Sequence, residues 1–365
     1  MMDLRSRSRE IVTKAAILVF ALLVAPIATA QEMAHSEVEK ELPKVSAWEK
    51  IKDFTLKTVD FVDHLLNETD STYVSKNEYN MSVYPMYAYS YEHYRFSSTG
   101  KKQSITIAPD SRNKLGLYIS WRWLSIGYSI DLQKSHPHTD FNISLYASRM
   151  GIDLFYRKSS EGYKIRSLSG FYENDLPLQN YNNNFDGLTV KQKGLNLYYI
   201  FDKRFSYPAA YSQSDIQRIS AGSFILGVNY NEQEFSFDYT GLDQRIQEQL
   251  NPELKFREIM YKDFSINFGY SYNWVFAKNF LASISLTPAI GYKNTSLKLL
   301  DSKSLLSSIN FDFITRAAVV YNNKRYYAGA SLVSHAYFYN KSRLSLINGF
   351  GVVKVFLGFN FWRKK

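Results

Sequence analysis

A chain of 365 residues is long enough for two ordinary domains or one large barrel, and it carries a net charge of +10. It holds 29 Tyr and 25 Phe yet has a mean hydropathy of −0.30, so the aromatic residues are not accompanied by a large aliphatic core. The absence of cysteine excludes disulfides, thiolate chemistry and a lipid-modified cysteine anchor. The basic residues are too scattered for a nucleic-acid partner to be expected.

The first thirty residues read as an export signal. Arg5, Arg7, Arg9 and Lys14 precede an apolar run over 15–28, and Ala28, Thr29 and Ala30 form a small-x-small cleavage site before Gln31. Removing residues 1–30, with four basic and two acidic side chains, leaves a charge of +8, suited to an anionic surface such as acidic lipid or lipopolysaccharide. Residues 31–75 are expected to form a separate periplasmic helical segment. Trp48, Ile51, Phe54, Thr58, Val62 and Leu65 recur at helical spacing, which predicts a short amphipathic helix from Ser46 to about Leu66. Its stripe is expected to pack against the periplasmic rim, with a plug inside the barrel as the alternative.

From residue 76 the pattern is that of strands. In DFSINFGYSYNWVF (263–276), Phe264, Ile266, Phe268, Tyr270, Tyr272, Trp274 and Phe276 share one face. Asp263, Ser265, Asn267, Gly269, Ser271, Asn273 and, as a single apolar residue at the end, Val275 share the other. The stretches 115–132, 141–147, 234–239, 308–321 and 352–361 repeat this division. In EFSFDY (234–239), Phe235, Phe237 and Tyr239 are assigned to the apolar face. No run after residue 30 approaches the ~18–20 apolar residues of a spanning helix. A membrane protein of this kind must therefore be a closed β-barrel, the other structure that satisfies every backbone group in lipid.

The apolar faces then meet lipid and the polar faces line a lumen. This predicts an all-β, transmembrane antiparallel up-and-down β-barrel over 76–365, integral to the outer membrane of a Gram-negative cell. Short links are expected at 121–124, 148–151, 231–233, 277–279 and 322–324, and long polar stretches at 240–258 and 294–305. Requiring the short links to be periplasmic gives about fourteen strands, or twelve if the hairpin 150–172 lies outside the wall. Trp121, Trp123, Trp274 and Trp362 then gather at the periplasmic rim.

Lumen-lining candidates follow from the same parity: Arg122, Asp131, Asp153, Asn267, Asn273, Asp312, Arg316, His335 and Lys354. Charges of both signs in a narrow lumen are expected to neutralise one another. Nucleotide and metal motifs are missing, so no cofactor and no metal site is expected. His335 is the strongest catalytic candidate, but Ser331 lies four residues along the same strand, about 13 Å away, too far for a direct hydrogen bond. No catalytic residue is assigned.

Four stretches carry a resemblance: 103–132, 144–166 with its MGIDLFYRK, 193–227 with FSYPAAYSQS, and 261–280. Together they resemble an uncharacterised family of exported proteins from Bacteroides-type bacteria, a domain of unknown function expected to form an outer-membrane barrel. The likeness runs from about residue 70 to the end and implies no activity. The ending Phe361-Trp362-Arg363-Lys364-Lys365 departs from the usual final aromatic that the barrel assembly machinery recognises. Three functions stay open: a porin-like channel or transporter for small or hydrophobic solutes, placed first; a structural or surface-interaction barrel with a filled lumen; and a lipid-modifying enzyme. Outer-membrane lipid, lipopolysaccharide and the assembly machinery are the expected partners.

Overall fold

A computed structural model describes residues 68–98, 102–121, 124–133, 138–171, 179–299, 303–341 and 344–363. The expected signal peptide and the amphipathic helix lie outside these residues. Residues 68–73 lead through a turn into a short strand, β1 (Val74–Lys76). The wall is built from β2 (Tyr79–Ser98), β3 (Ser104–Pro109), β4 (Arg112–Trp121), β5 (Leu124–Asp131), β6 (His138–Tyr146), β7 (Met150–Ser159), β8 (Tyr163–Ser169), β9 (Gln179–Asn184) and β10 (Leu188–Ile200). It continues through β12 (Ala221–Phe237), β13 (Phe256–Ala277), β14 (Phe280–Leu299), β15 (Lys303–Asn322), β16 (Tyr326–Lys341) and β17 (Leu344–Arg363). Between β10 and β12 lie a five-residue helix, α1 (Tyr207–Tyr211), and β11 (Asp215–Gln217), which pairs with β1.

Every ladder of the wall is antiparallel. Near the short turns the order is β5-β4-β2-β17-β16-β15-β14-β13-β12-β10-β7-β6, which is twelve strands. The last strand pairs with the first through Phe361↔Met81 and Arg363↔Tyr79. At the opposite end β3 takes the place of β4 beside β2 and pairs with β8 from Ser104↔Ser169 to Pro109↔Tyr163. Strand β8 follows β7 in the same direction, and β9 leads into β10. The ring therefore closes through the β3–β8 ladder, while β5 and β6 share no rung among the described residues. Strands β7 and β8 thus follow one another up the wall rather than forming a hairpin, and the lower of the two expected counts describes the turn end.

Turn chemistry explains several of the links. Asn279 (φ 68°) and Lys324 (φ 80°) take left-handed conformations in the β13–β14 and β15–β16 turns, where Asn is well tolerated. The expected link at 231–233 is not a turn, because β12 runs unbroken through it. The stretch 294–305 is also mostly strand, with β14 and β15 paired as far as Lys298↔Lys303. Two inner-face glycines are needed for close approach. The ring of Tyr327 lies over its cross-strand neighbour Gly358, and Tyr198 lies over Gly151. A Cβ there would come within 1.9 and 2.1 Å of the respective rings.

Polarity divides the wall into two storeys. On β13, Phe264, Ile266, Phe268, Tyr270, Tyr272, Trp274 and Phe276 are 40–57% exposed, whereas Asp263, Ser265, Asn267, Ser271 and Asn273 are at most 1% exposed. This is the lipid-facing exterior and polar interior of a membrane barrel. One residue step beyond Tyr230 and Phe264 the outer face becomes charged. Tyr156, Lys193, Glu232 and Lys262 form a cross-strand row, with Glu232 3.2 Å from Lys193 and 3.8 Å from Lys262. Beyond that row Phe235 and Phe237 point inward and are buried, the reverse of the face expected for EFSFDY. The strands have left the apolar band there, so water is outside and the greasy side chains form an ordinary core.

The tryptophans mark the opposite boundary. Trp274 and Trp362 are exposed at the turn rim, and the backbone of Trp121 pairs with Met81 at the same level. Trp362 reaches the outside because its φ of 60° breaks the alternation. Trp123 lies outside the described residues.

Two substitutions on one outward face test the boundary. Phe268→Arg puts a guanidinium in the apolar band and is expected to cost about 2–4 kcal/mol. Met260→Arg, beyond the charged row, should change stability by no more than about 0.5 kcal/mol. Reversible urea unfolding in lipid vesicles measures both, and equal costs would show that the band extends past Lys262.

Candidate functional site

Among the described residues, the sequence-derived candidates share the inner face of the wall, and the residues of that interior fill it at three levels. At the far end from the short turns, residues 238–255 fold over the mouth. Asp238, Asp243 and Asn251 cap three short helical turns, each accepting from a backbone N–H two residues on (3.0, 3.0 and 3.1 Å). The middle turn is α2 (Gln244–Gln249). Leu242, Ile246, Leu250 and Leu254 enter the core formed by Phe96, Phe235, Phe237 and Phe256. The cap is stitched to β2 and β3: Ser98 Oγ donates to Glu253 (2.6 Å), and the Asn251 N–H donates to Gln103 Oε1 (2.8 Å).

The middle level is polar and crosses the bore. Arg316 on β15 reaches Asp153 on β7, five strands away around the wall, at 2.5 Å. Asn196 donates to the same carboxylate at 3.2 Å. Asn267 donates to Asn196 (3.0 Å) and to Asn229 (3.1 Å), and Asn229 donates to Ser265 (3.3 Å). A second crossing joins Gln233 on β12 to Asn348 on β17 at 3.0 Å, with the Tyr261 hydroxyl 2.7 Å from Gln233 and 3.1 Å from Asn348. Lys293 and Asp312, both buried, pair at 2.7 Å. An ion pair in so dry a place is sustained by its partner and hydrogen bonds rather than by water.

At the turn end the chain between β10 and β12 folds back into the bore. Ser206 caps α1 by accepting from the Ala209 N–H (3.2 Å), with proline in the first turn. Tyr207 donates to Ser285 (2.8 Å), and Asn273 donates to the Ser206 carbonyl (2.8 Å) and to Gln217 (3.0 Å). The buried Asp215 carboxylate accepts from Ser206 (2.7 Å), Ser148 (3.1 Å) and Lys76 (3.2 Å). Arg316 lies over the rings of Tyr198 and Tyr207, joining this level to the middle one.

Residues 68–361, nearly the whole described chain, match the model of a domain of unknown function, DUF4421. The chain belongs to this family. A search of curated proteins matched none. Among solved structures the chain is similar to the translocator domain of autotransporter NalP from Neisseria meningitidis, with 8% identity, 85% of this chain and 96% of that chain covered, and a TM-score of 0.33. It is also similar to Ail, the attachment invasion locus protein of Yersinia pestis, with 9% identity, 76% and 99% covered, and a TM-score of 0.22. A third is the outer membrane protein OprG from Pseudomonas aeruginosa, with 10% identity, 79% and 98% covered, and a TM-score of 0.24. Likenesses this distant carry no functional argument. The barrel assignment of this DUF4421 member rests on its strand pairing and on the polarity of its faces.

Of the candidates in this DUF4421 chain, Asp153, Arg316 and Asn267 meet in one network, Asp312 joins Lys293, and Asn273 holds the turn-end plug. Asp131 at the end of β5 faces Lys114 on β4 at 4.0 Å. Lys354 sits at an inner-face position between Ala88 and Ser331 but is exposed. Arg122 lies outside the described residues. His335 is buried and stacked on Phe350, with Tyr337 3.4 Å from its Nδ1. His93 on β2 is exposed on the outer face, so it and His335 cannot share a site. Lys76 lies 2.7 Å from Ser148, the arrangement of a Ser–Lys dyad. Lys76 also pairs with Asp215 at 3.2 Å and Ser148 is fully buried, so the contact fastens the plug to the wall.

Periodicity could have revealed the cap, since Leu242, Ile246, Leu250 and Leu254 recur every four residues. No local signal marks 201–220 as a plug. Arg316→Ala should destabilise the barrel by about 3–5 kcal/mol, because Asp153 stays buried without its cation. Arg316→Met combined with Asp153→Leu should recover most of that loss. Urea unfolding of the three variants checks both, and equal damage by the single and double variants would contradict the charge argument.

Proposed function

We propose that the protein is an integral outer-membrane barrel of a Gram-negative, Bacteroides-type cell, with its turn rim toward the periplasm and its capped storey at the cell surface. Its bore is filled, and its work is structural or interactive rather than conductive. The observation that carries this reading is the closure of the bore at three levels by buried side chains of the wall, the cap and the plug. Arg316 meets Asp153 across the bore and Lys293 meets Asp312 on the neighbouring strand, instead of lining a water path. Lipopolysaccharide around the charged row and the assembly machinery during insertion are the partners this placement entails.

A second reading, a channel or transporter, requires the plug to leave. One feature favours it: β1 is paired along its length with β11 of the plug, so the chain from the N-terminal segment is fastened directly to the piece that would have to move. Lipid modification has less support, because the hydroxyl beside His335 Nδ1 is that of Tyr337, at 3.4 Å, and not a serine.

Two measurements test the proposal. The protein should fractionate with outer membranes and migrate faster unheated than boiled, and recovery as a soluble monomer would end the barrel reading. In planar bilayers the full-length protein should give no steady conductance, and replacing residues 205–217 by a short Gly-Ser linker should open no stable pore either, because the middle crossings and the cap remain. Steady currents from the unaltered protein would establish the channel instead.

A further inference from the structure

On the outside of the turn rim a pocket of about 690 Å³ opens between the chain leaving β10 and the start of β12. Its apolar wall is made by Phe224 and Tyr270, outward-facing and packed edge to face at 5.1 Å. Both lie on strands whose outer faces continue as Leu226 and Phe268 into the apolar band. Its floor is Gly222, where a Cβ would come within 2.1 Å of the Tyr270 hydroxyl. A larger residue would fill the space.

The rim of the pocket carries charges of both signs, held as partly exposed ion pairs. Asp202 receives a forked contact from Arg204, with Nε at 3.0 Å and a terminal nitrogen at 2.7 Å, and the Arg204 side chain is 54% exposed. The guanidinium holds the Asp202 carboxyl below the usual carboxylate range, so it is ionised at neutral pH. Lys203 pairs with Glu68, and both remain about half exposed. Arg204 also lies over the ring of Tyr73 at 5.6 Å. Two cations and the Asp202 carboxylate thus line an aromatic-walled pocket at the level of Trp274, where an aromatic belt meets the membrane–water interface.

We propose that this pocket seats the zwitterionic headgroup of a phosphoethanolamine phospholipid from the leaflet on the turn side. Its phosphate contacts Arg204 and Lys203, its ammonium contacts Asp202, and its acyl chains run down Phe224 and Tyr270. The balance of charges selects a zwitterion: an anionic phosphoglycerol headgroup would leave the Asp202 carboxylate without a ligand cation. Guanidinium and ammonium contacts to phosphate are charge-assisted and hold the headgroup in one orientation.

The inference rests on the membrane placement proposed above, so heat modifiability is measured on the same samples. Full-length protein is reconstituted with equal phosphatidylethanolamine and phosphatidylglycerol, and retained lipid is counted by native mass spectrometry. The folded protein should keep phosphatidylethanolamine in preference to phosphatidylglycerol. Arg204→Ala should lower that retention by about tenfold, and Asp202→Asn should abolish the preference while leaving phosphate-dependent retention. A headgroup-photoreactive phosphatidylethanolamine should crosslink the unaltered protein within 201–204 and 220–224. Crosslinks confined to other segments, or equal retention of the two lipids by a heat-modifiable barrel, would overturn the inference. If Arg204→Ala gives no heat-modifiable band, the crosslink map of the unaltered protein decides.

Discussion

A strand that crosses hydrocarbon must turn its apolar side chains outward, and the rest of this structure follows from that constraint. A barrel wall has two faces with alternate residues on each. Once Phe264 through Phe276 face lipid, the interior receives Asp263, Ser265, Asn267, Ser271 and Asn273. A polar interior cannot be left dry and unpaired, since an unsatisfied buried polar group costs roughly 1–3 kcal/mol. The Arg316–Asp153 and Gln233–Asn348 crossings answer that demand, and in doing so they tie opposite sides of the wall together.

The same constraint ends where the lipid ends. Past the row of Lys193, Glu232 and Lys262 the outer face is charged, and the inner face becomes the Phe96, Phe235, Phe237 and Phe256 cluster. A membrane barrel and a small soluble-type core are therefore continuous along single strands such as β12 and β13. The cap gains its order from that core. Without Leu242, Ile246, Leu250 and Leu254 inside it, residues 238–255 would be a solvated loop.

Side chains fill both ends and the middle of the bore, and the proposed role therefore lies with what meets the barrel's surfaces. The turn rim is the more elaborated of these. There one segment, 201–220, both plugs the bore with Tyr207 and Tyr211 and presents Asp202, Lys203 and Arg204 outside. The short β1–β11 ladder joins that segment to the chain arriving from the N-terminal side.

By itself the sequence determined which residues face lipid within the band, because side-chain alternation is a local property and the hydrocarbon enforces it at every second residue. Asp153, Asn267, Asn273, Asp312, Arg316 and His335 could be placed on the inner face for the same reason. Local pattern failed where the surroundings of a strand change along its length. Asn231, Glu232 and Gln233 look like a turn until Lys193 and Lys262 are known to flank Glu232, and Phe235 and Phe237 look lipid-facing until the end of the band is located. Which inner residues meet was decided by the tertiary structure alone. Asp153 and Arg316 are 163 residues apart, and only closing the wall brings their strands to opposite sides of one narrow bore.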